Sequence, residues 1–283
     1  MTLYAIETGR FLLDGGAMFG VVPRTLWSRT NPPDSANRIA MAARCLLIED
    51  GERLILIDTG IGTKVDARFR ELYGLDDATQ NLDRGLQRHG FHRKDITDVV
   101  LTHLHFDHCG GTTAINHTTG RSEVGFGRAR VHVSARQLAW ALEPNPREKA
   151  SFFAENIQPL VEYDSLEHVY TEHDLEPLGL QLLVSDGHTE GMICPLVRYN
   201  GYTVLFAADF IPTHGHLPLP YVMSYDVRPL VSMDERAEWL PRIVNENIVV
   251  FFEHDPEVEC CTVAVDDRGK YSVKDRLTLA NLT

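Results

Sequence analysis

The chain has 283 residues, 43% of them hydrophobic and 24% charged, which suits a soluble α/β protein with a substantial core. Lys and Arg total 27 against 40 Asp and Glu, and a formal net charge of −13 argues against nucleic acid as a partner. No apolar run reaches the ~18 residues of a membrane span, and Met1–Glu7 shows neither a basic nor a long apolar leader. The expectations are therefore no membrane partner and a cytoplasmic location.

Taken in chain order, the first turn-rich segment is Arg29–Ser35, too close to the start to separate two domains. With no repeat or low-complexity linker, residues 1–283 read as one domain. Ala43–Ile48 and Arg53–Ile57 flank Glu49-Asp50-Gly51-Glu52 and predict a β-hairpin. Further strands are predicted at Asp98–Thr102, Arg130–Val133, Leu180–Val184, Tyr202–Ala207 and Ile248–Phe252. Helical periodicity appears at Asn81–Arg88, Ser134–Leu142 and Asp234–Asn245. Paired strands mixed with helix-separated strands fit two sheets packed face to face with helices outside. The five cysteines (Cys45, Cys109, Cys194, Cys260 and Cys261) have no Cys-x-x-Cys spacing, so free thiols are expected and sulfur-bound zinc is not.

The informative segment is Leu101-Thr102-His103-Leu104-His105-Phe106-Asp107-His108-Cys109-Gly110-Gly111. Residues two apart in an extended loop point the same way, so His103 and His105 can share one metal. Asp107 and His108 then turn elsewhere and can serve a second. Imidazole nitrogen and carboxylate oxygen both suit zinc. Gly110-Gly111 permits a tight turn. The alternative is a polar loop of locally bonded histidines, which this ordered set of four ligand types makes the poorer reading.

His103-x-His105-x-Asp107-His108 resembles the signature of the metallo-β-lactamase superfamily. Ile57-Asp58-Thr59-Gly60, Gly187-His188-Thr189-Glu190-Gly191, Ala207-Ala208-Asp209-Phe210 and Phe252-Glu253-His254-Asp255 resemble its other motifs, in the right order. The resemblance implies an α/β fold, a four-layer αββα sandwich. It implies two divalent metal ions, zinc first, with manganese, cobalt or iron as alternatives. His103, His105 and His188 would hold one ion, Asp107, His108 and His254 the other, and Asp209 would bridge them. Asp58 would orient a ligand histidine from behind, and Asp107 would also handle the proton of the attacking water.

Within the superfamily, the bridging Asp209 argues against β-lactamases, the net charge against nucleases, and His105 against diiron flavoproteins. The branch that the chain most resembles is the lactonase-like and methyl-parathion-hydrolase-like dinuclear hydrolases, which act on lactones, esters or phosphotriesters. A glyoxalase II-like thioesterase and a mononuclear iron dioxygenase of the persulfide dioxygenase type are the alternatives. Gly15–Pro23, followed by Leu26-Trp27, resembles a segment overhanging the site. Phe19, Val22, Trp27 and Phe106 would then wall in a small uncharged or apolar substrate. Core packing is the competing reading for the first three. Acyl-homoserine lactonases resemble a pattern with a tyrosine three positions after the bridging aspartate, where this chain has Pro212. Tyr221 and His216, from the segment that follows, are the candidate catalytic substitutes. The oligomeric state stays open, a homodimer included.

Overall fold

The computed structural model describes residues 1–75 and 81–282. In chain order the elements are β1 (Thr2–Asp14), α1 (Gly15–Phe19), α2 (Arg24–Trp27), β2 (Arg38–Asp50), β3 (Arg53–Ile57), α3 (Ala67–Tyr73), α4 (Leu82–Arg88), β4 (Asp98–Leu101), α5 (Phe106–Cys109), β5 (Thr113–Ile115), β6 (Ser122–Val124), β7 (Arg130–Ser134), α6 (Ala135–Leu142), α7 (Ala154–Val161), β8 (Leu166–Val169), β9 (Leu180–Ser185), β10 (Met192–Tyr199), β11 (Tyr202–Phe206), α8 (Pro229–Asn245), β12 (Val249–Phe251), β13 (Cys260–Val265) and β14 (Tyr271–Leu277). Contacts group the chain into two compact units, residues 1–10 with 43–174 and residues 11–42 with 175–283.

The first unit is built on a six-stranded sheet of order β1-β2-β3-β4-β7-β8. β2 and β3 pair antiparallel across a two-residue turn, with Asp50 opposite Arg53. Parallel pairing follows from β3 to β4, β7 and β8. Parallel strands require crossovers, and helices supply two of these here. Asn81 caps α4 and Ser134 caps α6, each side chain accepting a hydrogen bond from a first-turn N–H. Leu82 and Leu86 of α4 and Leu138 and Ala141 of α6 share a core with Leu56, Val99, Leu101, Val131 and Val133 of the strands. β4 is buried at every position, and after Asp98, whose carboxylate is bonded to His132, Val99–Leu101 read as an apolar run without alternation.

The second unit holds the sheet β14-β13-β12-β11-β10-β9, antiparallel throughout except between β11 and β12. The parallel pair is joined through α8, which buries Ser232, Arg236, Leu240 and Ile243. Helix α8 starts at Pro229, five residues before its predicted start, with proline in its first turn where the missing N–H does no harm. β10 has no counterpart among the predicted strands because Pro195 interrupts its pattern, although Pro195 pairs in register with Leu182. All five cysteines are free and buried. Among the described residues, no helix is long and apolar enough to cross a membrane.

Candidate metal centre

In the first unit, the site grows from the ends of β3 and β4. Asp58 follows β3 with a φ of +57°, a left-handed conformation that costs a residue with a side chain about 1–2 kcal/mol. That turn aims a fully buried carboxylate at the loop after β4. Its Oδ1 accepts from the Thr102 N–H at 2.8 Å and its Oδ2 from the Thr102 hydroxyl at 2.6 Å. The same Oδ2 accepts from His108 Nδ1 at 3.1 Å. Thr102 has one hydroxyl proton and gives it to Asp58, so its oxygen accepts from His103 Nδ1 at 3.1 Å. His105 donates Nε2 to Glu148 Oε1 at 2.8 Å, while Glu148 Oε2 accepts from Trp140 Nε1 at 2.7 Å and Asn145 Nδ2 at 3.1 Å.

These bonds fix the tautomers. With Nδ1 of His103 and Nε2 of His105 protonated, His103 Nε2 and His105 Nδ1 face each other 3.1 Å apart as two lone pairs. A divalent cation satisfies such a pair. Asp107 lies on the other side of His108, with Oδ2 3.8 Å from Nε2.

The second unit repeats the arrangement at the ends of β9, β11 and β12. Ala208 takes a φ of +43° just after β11 and presents Asp209. Asp209 Oδ2 is 3.0 Å from His188 Nε2, and Oδ1 is 3.2 Å from His254 Nε2. Each ring has a partner on its far side. His188 donates Nδ1 to Asp226 Oδ1 at 2.9 Å, and His254 donates Nδ1 to the Ala42 carbonyl at 2.8 Å. Burial works against a charged His188, but the carboxylates of Asp209 and Asp226 outweigh it and hold the imidazole up to about 10. An imidazole nitrogen and a carboxylate oxygen 3.0 Å apart, with the ring fixed from behind by Asp226, are also suited to sharing a metal cation.

All five sequence-predicted histidine ligands therefore donate from one ring nitrogen to a built partner and turn the other toward a second imidazole or a carboxylate. Asp58 was legible as such a partner. Glu148 and Asp226 were not: Asp58 stands in a recognisable strand-end motif, whereas Glu148 and Asp226, 43 and 38 residues from the rings they orient, carry no such motif. The donor set, five imidazoles with Asp107 and Asp209, fits borderline-soft divalent ions such as zinc.

The other predicted site residues divide into two groups. Phe106 is buried and sits in an aromatic cluster, stacked on Phe153 at 5.3 Å with Phe69 edge-on at 5.2 Å and Tyr73 at 5.3 Å. Phe19 and Trp27, expected either as a substrate wall or as core, stack on each other at 5.3 Å and are packed inside the second unit with 0% and 1% exposure. Val22 is half-buried. His216 stacks on Phe19 at 4.2 Å, donates Nε2 to the Met18 carbonyl at 2.9 Å and bonds the Thr213 hydroxyl through Nδ1 at 2.8 Å. Burial pushes it down to about 4, so it is a neutral strut with both nitrogens engaged. Tyr221 is half-buried, edge-on to Phe19 at 6.2 Å. Burial likewise pushes the Cys109 thiol up to about 12, and its Sγ donates to Leu104 O, which removes it as a nucleophile.

The sequence profile of the metallo-beta-lactamase superfamily matches residues 39–240. The chain belongs to the metallo-β-lactamase superfamily. It is 27% identical over 270 residues to an N-acyl homoserine lactonase of Bacillus cereus, covering 91% of this chain and 94% of that one. A probable metal-dependent hydrolase from Staphylococcus aureus superposes with a TM-score of 0.84 at 26% identity, covering 98% of both chains. AidC, a dizinc quorum-quenching lactonase solved with its product N-hexanoyl-L-homoserine, superposes with a TM-score of 0.77 at 20% identity, covering 98% of this chain and 95% of that one. The fold is thus the mixed α/β sandwich of the superfamily, with a six-stranded sheet and helices in each unit. The chain is a metal-dependent hydrolase of that family.

Proposed function

We propose that the chain is a dinuclear hydrolase that opens a small, uncharged lactone or ester, with a phosphotriester as the nearest further substrate. The observation that carries this reading is the set of five imidazoles, each already donating from its far nitrogen, combined with the carboxylates of Asp107 and Asp209. In the family pattern, His103, His105 and His188 would hold one metal and Asp107, His108 and His254 the other, with Asp209 shared between them. Bound there, two divalent ions would supply Lewis acidity, which makes water a better nucleophile near neutral pH and draws electron density from a carbonyl or phosphoryl oxygen.

The chain's own residues do the rest. Asp58, Thr102, Glu148, Asp226 and the Ala42 carbonyl hold the rings in one tautomer and one orientation, so no reorganisation is needed during reaction. Asp107 takes the proton of the attacking water on its carboxylate and returns it to the leaving oxygen. Phe106, with Phe69, Tyr73 and Phe153 around it, gives an apolar face suited to the hydrocarbon part of a substrate.

The likeness to N-acyl homoserine lactonases over nearly the whole chain supports a lactone or ester over a phosphotriester. Pro212 has no side-chain donor where those enzymes resemble a tyrosine-bearing pattern, so acyl-homoserine lactones are not the preferred lactones. Tyr221 and Tyr225 of the following segment both carry a hydroxyl, and the half-buried Tyr221 is the candidate for the role. The test is a panel of γ- and δ-lactones, acyl-homoserine lactones, aryl esters, phosphotriesters and thioesters, assayed with zinc-, manganese- and cobalt-loaded protein. Fastest turnover of a simple lactone or ester is the expected result. Preference for a thioester, or oxygen uptake by an iron-loaded form without hydrolysis, would refute the assignment.

A further inference from the structure

The turn after the metal loop is gripped by a second segment of the same unit. Thr59 donates both its N–H and its hydroxyl to the His108 carbonyl, at 2.8 and 2.9 Å. Gly111 donates its N–H to the Gly60 carbonyl at 2.9 Å. Lys64 Nζ donates to the Gly110 carbonyl at 2.5 Å and to the Thr113 carbonyl at 2.9 Å. Arg93 Nη1 donates to the Gly111 carbonyl at 2.6 Å, with its Nε held by Asp83 at 2.6 Å. The carbonyls of residues 108, 110, 111 and 113 are thus each engaged from outside the loop.

Helix α5 has only four residues, too few to hold its own geometry, and its terminal carbonyls need partners. The approach is close enough to require glycine: a Cβ on Gly110 would lie 2.0 Å from the Ile61 carbonyl oxygen, and one on Gly111 would lie 2.2 Å from that of Thr59. Lys64 is the costly member of this grip. Burial of its ammonium pulls it down to about 8, only partly opposed by Cys109 and Glu155. A methionine would fill the same channel without desolvating a charge. What methionine lacks is the donors that converge on two carbonyls three residues apart, immediately after Asp107 and His108.

We propose that Lys64 is a positioning residue of the metal loop: it fixes the path of Gly110–Thr113, and with it the angle at which Asp107 and His108 offer their ligand atoms, so that it sets how slowly metal leaves. This rests on the metal centre proposed above. Arg93 does the same for Gly111 from another element.

The test is zinc release from zinc-loaded wild type, Lys64→Met and Arg93→Met into excess chelator at pH 7, with the Tm of each metal-free protein measured alongside. Lys64→Met should release zinc about tenfold faster or more, while its metal-free Tm stays close to wild type because relief of the buried charge offsets the lost bonds. A merely structural lysine would lower Tm and leave release from the folded protein unchanged, and that result overturns the proposal. If Lys64→Met does not fold, Arg93→Met decides: accelerated release supports the grip, and wild-type release overturns it. A wild type that binds no zinc overturns the metal centre itself. A wild type that holds zinc as tightly as its variants overturns only the role of Lys64.

Discussion

Glu148 accepts a hydrogen bond from Nε2 of His105 at 2.8 Å, and that bond leaves Nδ1 of the same ring as the nitrogen facing His103. Glu148 is itself held by Trp140 and Asn145, so the carboxylate is a rigid support and not a mobile surface acid. Glu148→Ala should therefore lower zinc affinity by roughly 10–100-fold without unfolding the chain. Competition against a zinc chelator reads this directly. Unchanged affinity would show that His105 is oriented without Glu148.

His216 makes the fold acid-sensitive. Burial holds its folded-state value at about 4, against an ordinary histidine value near 6.5 in the unfolded chain. Between those values the unfolded chain binds a proton that the folded chain refuses, so stability falls as pH drops from about 6.5 to 4 and levels off below. Replacing the ring by glutamine, which keeps polar contacts, should flatten the Tm-against-pH slope in that window relative to wild type. Parallel slopes for His216→Gln and wild type would contradict the assignment.

The close approach at Gly110 predicts a large backbone effect. Gly110→Ala pushes a methyl into the Ile61 carbonyl, and neither partner is a flexible side-chain end. The loss should reach about 1–3 kcal/mol or more, the range for overpacking, measured by denaturant unfolding of the metal-free protein. Gly90→Ala, where a Cβ meets nothing within 4 Å, should pay only for its positive φ of +83°. Equal stabilities for the two variants would refute the steric reading.

How far the sequence carried these conclusions depended on how local each feature is. The ligands in His103–His108 stand together on one loop, and the other three follow apolar strands, so their order was legible. The partners behind the rings were not, except Asp58, because which distant acid reaches a given imidazole is decided by packing. Phe19 and Trp27 were open to two readings for the same reason: an aromatic in a turn-rich segment has no periodicity to say which way it faces. In the fold Phe19 stacks between Trp27 and His216, and both Phe19 and Trp27 are buried. β10 escaped notice because Pro195 breaks the local pattern that its neighbours β9 and β11 complete.

The proposed dinuclear centre depends on Asp209, the carboxylate that both metals would share. Its two oxygens face His188 at 3.0 Å and His254 at 3.2 Å, one from each proposed ligand set. The most direct measurement is metal stoichiometry by elemental analysis of wild type and Asp209→Ala after zinc loading and desalting. The account predicts two zinc ions per chain in wild type and one or fewer in Asp209→Ala, with turnover falling by orders of magnitude. One zinc in wild type, or two still held by Asp209→Ala at near-normal activity, would contradict it.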